Sequence, residues 1–288
     1  MDNKKQDSDL NAVDLHSKKF LAGGSFNWKK SQTDVWLKLE GSIERIPAKR
    51  FLHQPNLKLV SIAASLIILL ASGLFLRFYS KTVHSPVGTH QVAGLPDGST
   101  VEMNAESILK YYPYWYRISR ILEFEGEGFF QVENGAKFTV LSSSGKTQVM
   151  GTSFNIFSRE AYRVTCLTGS VKVISKTKSQ VVLQANSKAE IQEDGEIVIK
   201  NDIQPYPEIS WRNHVFTFTA TPVGQVFREI ERQYSITILT DLTKMPVYTG
   251  NFKKQQHVED VLGYICPALG LKYTKKSVNL YVITRDKE

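Results

Sequence analysis

The sequence predicts a bitopic membrane protein with a short helical arm before its single span and two folded domains after it. Residues 59–76 form an apolar run without a charge, residues 90–200 alternate apolar and polar residues in short segments, and residues 208–286 alternate strand-like and helix-like segments. We therefore expect a helical arm at residues 1–58, a transmembrane helix at 59–76, and a linker at 77–89. An all-β domain at 90–200 and a small α/β domain at 208–286 are expected to follow.

The apolar run at residues 59–76 is long enough to cross a membrane as one helix. At about 1.5 Å per residue it covers most of a hydrocarbon core of about 30 Å, and Lys58 and Arg77 at its ends can reach the headgroups. A buried core helix is usually shorter or interrupted by polar residues. A cleaved signal peptide has a short leader, whereas more than fifty residues precede this run. The sequence therefore favours a signal anchor.

Basic residues near the run indicate its orientation. They are Arg45, Lys49, Arg50 and Lys58 before the run, against Arg77 and Lys81 after it. By the positive-inside rule, this excess places the N-terminal arm in the cytoplasm and the two folded domains on the other side of the membrane. We therefore predict a short inner arm and a large outer part.

The charge of the chain does not indicate a nucleic-acid-binding protein. The sequence has 36 Lys+Arg against 28 Asp+Glu, a formal net charge of +8. Residues 1–58 hold 11 basic and 7 acidic residues, so +4 of that charge lies in the arm. An anionic membrane surface beside the arm explains this excess more simply than nucleic acid does, and no direct nucleic-acid contact is expected.

The arm contains two segments with helical periodicity. The first begins after Asp9 and ends at Gly23-Gly24, and the second begins at the capping-box-like Ser31-Gln-Thr-Asp34 and ends at Pro47. The apolar stripe of the second segment consists of Trp36, Leu39, Ile43 and Ile46. Two short helices bury little apolar surface against each other. The stripe therefore lies in the groove of a partner protein or on the membrane surface, and the residues leave both open.

Residues 90–200 are predicted to form a jelly-roll-like β domain. Turn signals such as Pro96-Asp97-Gly98 and Gly126-Glu127-Gly128 separate short alternating segments. In Tyr162, Val164 and Cys166 the apolar residues alternate with polar ones, as in a half-buried antiparallel strand. The β domain is therefore expected to be built mainly of antiparallel strands.

The sequence contains two cysteines, Cys166 and Cys266. Each stands at an apolar position of a different predicted domain. This placement favours packed thiols over a disulfide.

We predict no catalytic, cofactor-binding or metal-binding residues. The stretch Ser144-Gly145-Lys146-Thr147 ends like a phosphate-binding loop, but Val140 stands where its first glycine should be. The histidines of the outer part show no metal-ligand spacing. They are His84, His90, His214 and His257.

Two further clusters are interpreted as structural. The aromatic segment 111–117 could stack sugars or bases, but such clusters beside a sheet usually form core and rim. Glu123, Glu125 and Glu127 alternate along one predicted strand, which favours a solvated face over the paired carboxylates of a glycan-cleaving enzyme. A glycan-binding or glycan-cleaving protein is therefore the least favoured interpretation.

Residues 208–286 are predicted to contain a strand-helix-strand unit that occurs twice. In the first copy, residues 215–220 form a strand, Thr221 caps the helix and Pro222 is its first residue. In the second copy, Gly270 ends the helix and Pro267 lies in its last turn. The sheet edges of such a domain could accept a strand from another protein.

Several stretches of the outer part occur in the order and spacing of one known family. In the predicted β domain they are residues 95–101 (LPDGSTV) with Asn104-Ala105, 124–132 (FEGEGFFQV), 149–156 (VMGTSFNI) and 167–173 (LTGSVKV). In the tail they are Trp211, Phe216-Thr-Phe218, Thr221-Pro222 and residues 248–252 (YTGNF). These stretches resemble the FecR family of single-span anti-sigma regulators, whose C-terminal domain is similar to the short N-terminal domain of secretins and TonB-dependent receptors. The resemblance covers about residues 85–285.

The resemblance implies a regulator in the inner membrane of a Gram-negative cell. Its cytoplasmic arm would bind an extracytoplasmic-function sigma factor. Its periplasmic domains would receive a signal from the N-terminal signalling domain of a TonB-dependent outer-membrane receptor, and an intramembrane protease is a further implied partner. Phe26-Asn-Trp28 with Trp36 resembles the family's segment before the span, so the expected sigma-factor contacts are Trp28, Trp36, Leu39 and Ile43.

A second interpretation gives the arm no sigma-factor role. The arm is shorter than the usual anti-sigma domain of the family. This fits a membrane-tethered periplasmic binding or scaffolding module whose arm is only a topogenic anchor. The capped helix with its apolar stripe counts against this alternative.

Overall fold

The computed structural model describes residues 31–42, 56–254 and 257–286. The chain forms two compact units, Met1–Ala63 and Ala64–Glu288. The expected helix after Asp9, the residues Trp28 and Ile43, and the expected helix end at Pro47 lie outside the described residues.

Helix α1 (Gln32–Ser42) belongs to the first unit. It begins directly after Ser31, whose hydroxyl oxygen accepts a hydrogen bond from the Thr33 backbone N–H at 3.3 Å. An N-cap side chain of this kind satisfies one of the free N–H groups at a helix start. The capping signal in the sequence therefore marks the observed start of this helix.

Helix α2 (Leu57–Phe78) is the long apolar helix of the chain. Its 22 residues have a mean hydropathy of 2.5 over the most apolar stretch, and none of them is buried. The apolar run at 59–76 lies inside it, and the helix continues through Lys58 and Arg77 at its two ends. This helix is consistent with a single-pass membrane protein.

The region after α2 is mostly β, as expected, and forms a nearly closed sheet. The first strand, β1, lies in the segment expected to be a linker and pairs with β4 in the sheet. The strands are β1 Lys81–Ser85, β2 Gln91–Gly94, β3 Thr100–Met103, β4 Ser107–Tyr111, β5 Arg120–Gln131, β6 Phe138–Leu141, β7 Gly145–Val149, β8 Ser153–Ser158, β9 Tyr162–Thr168, β10 Ser170–Ser175, β11 Gln180–Gln184, β12 Ser187–Ile191 and β13 Ile197–Lys200. We call this part, β1 to β13, the β domain.

Strand β5 holds the two halves of this sheet together. Its first half pairs with β4 and β6, and its second half pairs with β3 and β8. The change occurs at Gly126, which has φ +112 and a position where an added Cβ would come within 2.3 Å of Ser107 Oγ. Only glycine adopts such a backbone readily, so Gly126 sets the corner of the β domain.

The interior of the β domain is filled by apolar side chains from both halves of the sheet. The rings of Phe130 and Phe154 stack at 5.0 Å, and Phe124 meets Phe130 edge to face at 5.1 Å. Cys166 is fully buried in this core, where burial raises the pKa of its thiol to about 11. The prediction that Cys166 is a packed thiol is confirmed.

The C-terminal region, which we define as residues 206–286, alternates helices and strands. Its elements are α3 Tyr206–Ile209, a 3₁₀ turn Ser210–Asn213, β14 Val215–Pro222, α4 Val223–Tyr234, β15 Thr237–Thr240, β16 Val247–Lys253, α5 Val258–Ala268, β17 Leu271–Ser277 and β18 Leu280–Arg285. Strand β14 pairs antiparallel with β16, and β18 lies between β15 and β17. Helices α4 and α5 share a second apolar core with these strands, and Cys266 is an unpaired thiol within it.

The predicted start of the first C-terminal helix is wrong. Strand β14 continues through Thr221 and Pro222, which pair with Tyr248 and Val247. Helix α4 begins one residue later, at Val223, whose backbone N–H bonds to the Pro246 carbonyl at 2.8 Å. Sheet pairing therefore takes the residues that the local capping signal assigned to the helix.

We predict that Gly126→Ala lowers the free energy of unfolding of the purified full-length protein by about 1–3 kcal/mol, because alanine is strained at this backbone angle. The added methyl group would also displace Ser107. The measurement is urea denaturation in detergent micelles. Gly94→Ala is the matched control, since an added Cβ there meets no atom within 4 Å. Equal effects of the two substitutions would contradict the role of Gly126 as the corner.

Candidate functional site: the junction and the exposed arm helix

Of the residues predicted to contact a partner, the structure describes Trp36 and Leu39, and both lie on helix α1. Trp36 is 64% exposed and Leu39 is 50% exposed. Val35 and Leu37 are also exposed, so apolar side chains cover more of the helix surface than the predicted stripe. No residue of α1 is buried. Within the first unit, this helix therefore offers apolar and aromatic surface to a partner.

A second candidate site is the junction, which we define as the contact between the β domain and helix α4 with the residues around Trp211. Arg232 of α4 bonds to Glu106 with Nε at 3.0 Å from Oε2, and it also pairs with Glu160. Arg228, one turn earlier on α4, places its Nε 2.7 Å from Glu160 Oε1. One face of α4 is therefore held by acidic side chains of β-domain loops.

A buried ion pair at the junction has its basic residue on the β domain and its acidic residue on α4. Arg159, at the end of the β8 hairpin, places Nη1 2.8 Å from Glu229 Oε2 on α4. The Gln233 amide, also on α4, donates to Asn104 Oδ1 at 2.7 Å and to Glu229 Oε1 at 2.9 Å. These four residues have little exposed side-chain surface. Each side of the junction therefore contributes a charge that the other neutralises.

The backbone of the two parts is also linked. The Gly88 N–H donates to the Arg232 carbonyl at 2.7 Å, and Lys254 Nζ donates to the Gly88 carbonyl at 3.0 Å. Partial burial lowers the pKa of Lys254. The turn after β1 is therefore clamped between the end of α4 and the end of β16.

Glu127 of β5 lies at the centre of the junction and not on a solvated face. Its carboxylate accepts hydrogen bonds from Asn104 Nδ2 at 2.8 Å and from Asn155 Nδ2 at 3.3 Å. Burial raises its pKa to about 7, with Glu229 also raising it and Arg159 lowering it. The predicted solvated face holds for Glu123, which pairs with Lys110, but is wrong for Glu127.

Aromatic side chains close one side of the junction. Trp211, Phe216 and Phe129 form a small apolar cluster separate from the two larger cores. The Trp211 indole N–H donates to Asn155 Oδ1 at 3.3 Å. The Arg212 guanidinium carbon lies 3.9 Å from the centroid of the Phe129 ring, and its Nε bonds to Glu102 at 2.8 Å. Stacked and paired in this way, Arg212 contributes both cation–π and ionic contacts.

His90 and His214, which are far apart in the sequence, meet at the junction. The rings of His90 and His214 stack with centroids 4.8 Å apart, and Trp211 meets His90 edge-on at 5.4 Å. Burial, together with the nearby His214 and Lys254, lowers the pKa of His90 to about 4. Across the described ranges, no group of three or more histidine, cysteine or acidic residues is placed to hold a metal ion. The histidine pair is therefore read as packing.

A cleft of about 180 Å³ opens at the junction, between β-domain residues such as Arg163 and C-terminal residues such as Gln225. This volume lies below the range of about 300–1,000 Å³ that is typical of small-molecule sites. A second, more open cleft of about 460 Å³ lies at the junction between β-domain residues such as Glu106 and residues of the C-terminal region such as Arg228 and Asn279.

The sheets of the C-terminal region have strand edges without a described partner strand. They are one edge each of β14, β15, β16 and β17. Lys272, Lys275 and Lys276 lie on β17, and lysines on an edge strand oppose unwanted pairing. On β15 the Ile238 N–H already bonds to Glu231. Strands β14 and β16 are therefore the less protected edges.

Sequence reasoning did not predict the junction, because its contacts join residues far apart in the chain. Arg159 and Glu229 are 70 positions apart, and Asn104 and Gln233 are 129 apart. A signal was nevertheless present, since Asn104, Glu127 and Asn155 are polar residues inside or beside strand-like family motifs. Because a polar residue at a buried strand position needs a hydrogen-bond partner, these three residues could have been identified from the sequence as candidate contacts.

The fold and the junction define a class: an α/β region docked on a β domain, which follows the one described helix that is long and apolar enough to cross a membrane. A model of the FecR protein family matches residues 81–172, and a model of the FecR C-terminal domain matches residues 215–282. Together these matches cover more than half of the chain. The chain belongs to the FecR family.

Two solved structures are also similar to this chain. Two crystal structures of a putative anti-sigma factor from Parabacteroides distasonis, at 2.50 Å and 1.65 Å resolution, are 27% identical to this chain with a TM-score of 0.66. The matches cover 73% and 72% of this chain and 100% of theirs. No curated protein sequence matches the chain. The family and these neighbours support a role as an anti-sigma regulator.

We predict that Glu229→Ala destabilises the protein by about 3–5 kcal/mol, because it leaves the buried Arg159 guanidinium without its partner. The measurement is urea denaturation followed by intrinsic fluorescence, together with limited proteolysis of the connector at residues 201–205. Glu123→Ala is the control, since it removes an exposed ion pair, which contributes little. If both variants unfold alike and the connector stays protected, the ion pair does not hold the junction.

A second prediction concerns pH. The folded protein keeps the Glu127 proton up to a pH of about 7, whereas the unfolded chain releases it near the ordinary value of 4.5. Between these values the folded state binds more protons, so this group's contribution to stability falls as pH rises. His90 acts in the opposite sense, because its pKa falls from 6.5 to about 4 on folding.

Because His90 and Glu127 act in opposite senses, the contribution of Glu127 is measured as the difference in the free energy of unfolding between Glu127→Gln and the wild type. We expect Glu127→Gln to gain stability relative to the wild type as pH rises from 5 to 8. Glu123→Gln, an exposed glutamate on the same strand, should follow the wild-type curve. A constant difference between Glu127→Gln and the wild type across this range would show that Glu127 has an ordinary pKa in the folded state.

Proposed function

We propose that this protein is an inner-membrane anti-sigma regulator with its N-terminal arm in the cytoplasm. The arm binds an extracytoplasmic-function sigma factor, and the β domain and C-terminal region act in the periplasm. The observation that carries the proposal is membership of the FecR family together with the exposed aromatic surface of helix α1 before the apolar helix. Transcription of uptake genes is the proposed output.

Helix α1 supplies the proposed sigma-factor contact. Trp36 and Leu39 lie three positions apart on one face, and both are at least half exposed. Tryptophan is among the residues that most often dominate binding energy at protein interfaces. An apolar helix face of this kind fits a groove on a partner. Trp28 and Ile43 are proposed to extend the same contact.

The C-terminal region is proposed to receive the signal from the N-terminal signalling domain of a TonB-dependent outer-membrane receptor. The free edges of β14 and β16 could pair with a strand of that domain. A partner changes the state of this protein only if it binds one state better than the other. The junction offers two such states, docked and released, because its contacts are mostly polar and ionic.

A single membrane helix transmits a conformational change poorly. We therefore propose that the signal crosses the membrane through a change in association or through cleavage by an intramembrane protease. Release of the junction would expose the connector between the β domain and α3 to a first protease. This step makes the junction the control point of the proposed pathway.

A second candidate function is a membrane-tethered periplasmic binding or scaffolding module. The observation that favours it is the free edges of β14 and β16, which could bind a partner strand whether or not the arm holds a sigma factor. In that case the exposed surface of α1 would lie on the membrane, as interfacial helices do. The two functions differ in whether the arm holds a sigma factor.

The proposal is tested by a pull-down from native membranes with a tag on the N-terminal arm. We expect the wild type to recover a sigma factor and Trp36→Ala/Leu39→Ala to lose it. If each side chain supplies about 2 kcal/mol, the affinity falls by a factor of about 1,000. Leu37→Ala is the matched control, since Leu37 is an exposed leucine on the same helix that points away from the Trp36 and Leu39 face.

The outcomes separate the two functions. Recovery of a sigma factor by the wild type and the Leu37→Ala protein, but not by the double variant, supports the proposed contact. Recovery by all three proteins places the contact elsewhere on the arm. Recovery of an outer-membrane receptor with all three proteins and no sigma factor favours the tethered module.

A further inference from the structure

The loop between β4 and β5 lies against the end of the apolar helix. Its Tyr114 ring is 6.4 Å from Phe75 and 5.5 Å from Tyr79, and these two rings of the helix end are 5.3 Å apart. The Arg77 guanidinium carbon lies 5.0 Å from the centroid of the Trp115 ring. All of these residues belong to one unit. We call residues 112–119 the aromatic loop.

The aromatic loop is held firmly from the inside. Tyr116 is fully buried, and its ring meets those of Tyr111 at 5.9 Å and Phe138 at 6.5 Å. Within the loop, the Trp115 N–H bonds to the Tyr112 carbonyl at 3.1 Å, and the Ile118 N–H bonds to the Trp115 carbonyl at 3.0 Å. The anchored side chain fixes which face of the loop points outward.

The outward face is apolar, aromatic and basic. Tyr114 is 57% exposed and Ile118 is 71% exposed, and Arg117 beside them is also exposed. Large apolar side chains on a water-exposed loop cost free energy unless something covers them. Since Tyr116 of the same loop serves the core, the exposed members are not needed for packing of the β domain.

The position of Phe75 on helix α2 indicates the level of this loop face relative to the membrane. Phe75 is three residues before the end of α2, which is about 5 Å along the helix axis. The apolar run ends at Leu76, and Arg77 and Tyr79 follow, so this level is where the hydrocarbon gives way to headgroups. Tryptophan and tyrosine concentrate at that boundary, with basic side chains reaching the phosphates.

We propose that the aromatic loop is a lipid-binding element that seats the β domain on the membrane surface. Tyr114, Trp115 and Ile118 enter the interfacial layer of the leaflet next to the β domain. Arg77 and Arg117 meet phospholipid phosphates there. The occupant is phospholipid because the loop is in direct contact with the last turn of the helix that lies in the bilayer. The β domain then moves with the membrane surface and not freely about a linker.

The test uses full-length protein carrying Trp28→Phe and Trp36→Phe, which leaves two of the four tryptophans, Trp115 and Trp211. The protein is reconstituted in vesicles of phosphatidylcholine and phosphatidylglycerol, with or without bromine on the acyl chains near the headgroups. We expect brominated lipid to quench part of the emission. Adding Trp115→Phe should remove the quenched part and leave the emission of Trp211, which is 4% exposed at the junction.

Further variants test the exposed face. Ile118→Ser with Tyr114→Ser should reduce the quenching of Trp115, because the loop loses its apolar contact with lipid. Val278→Ser is the control, since Val278 is 80% exposed in the turn between β17 and β18 of the C-terminal region. It should leave the quenching unchanged.

Two outcomes would overturn the proposal. One is emission that brominated lipid does not quench in the protein that retains Trp115. The other is quenching that persists after Trp115→Phe. Retention of the protein in carbonate-washed membranes is measured in parallel, so that failure of the aromatic loop is distinguished from failure of the membrane span on which the proposal rests.

Discussion

The buried ion pair between Arg159 and Glu229 determines how the β domain and the C-terminal region meet. Moving both charges out of water costs several kcal/mol per ion, and their mutual attraction offsets this only when the geometry is good and further hydrogen bonds are made. Those further bonds are present, because Gln233 donates to Glu229 and Arg159 donates to the Ala105 carbonyl. Such a pair contributes little net stability but favours the docked geometry that pairs both charges, since a shifted docking would leave a charge buried without its partner.

This property distinguishes the junction from the two cores. Each core is apolar and continuous, whereas the junction has one small aromatic cluster and otherwise arginines, glutamates, amides, the stacked histidines and Lys254. Interfaces between domains are often more polar than permanent ones and permit relative motion. Opening the junction would return its charges to water and expose the side chains of Phe129, Trp211 and Phe216. Because the two larger cores are separate clusters, we expect that the C-terminal region could leave the β domain while both stay folded.

Local features of this fold could be predicted from the sequence, and long-range features could not. The apolar helix, the mostly β domain and the packed Cys166 follow from composition and alternation over a few residues. The capping signal at Thr221 failed because pairing with β16 offered its backbone a better partner than the helix did. Glu127 was misread because alternation shows which residues share a face, but not whether a second region covers that face.

The same limit explains the histidines and the aromatic loop. His90 and His214 stack only because the Gly88 turn and the residues after Trp211 are brought together by docking. In the aromatic segment, alternation of core and rim was anticipated, but contact of its rim with the end of α2 was not. If the aromatic loop seats the β domain on the membrane as proposed, the C-terminal region is held to the rest of the protein by the polar junction. A partner that acts on this protein after the span is then expected to bind the C-terminal region, because that region could move without extracting aromatic side chains from lipid or opening a core.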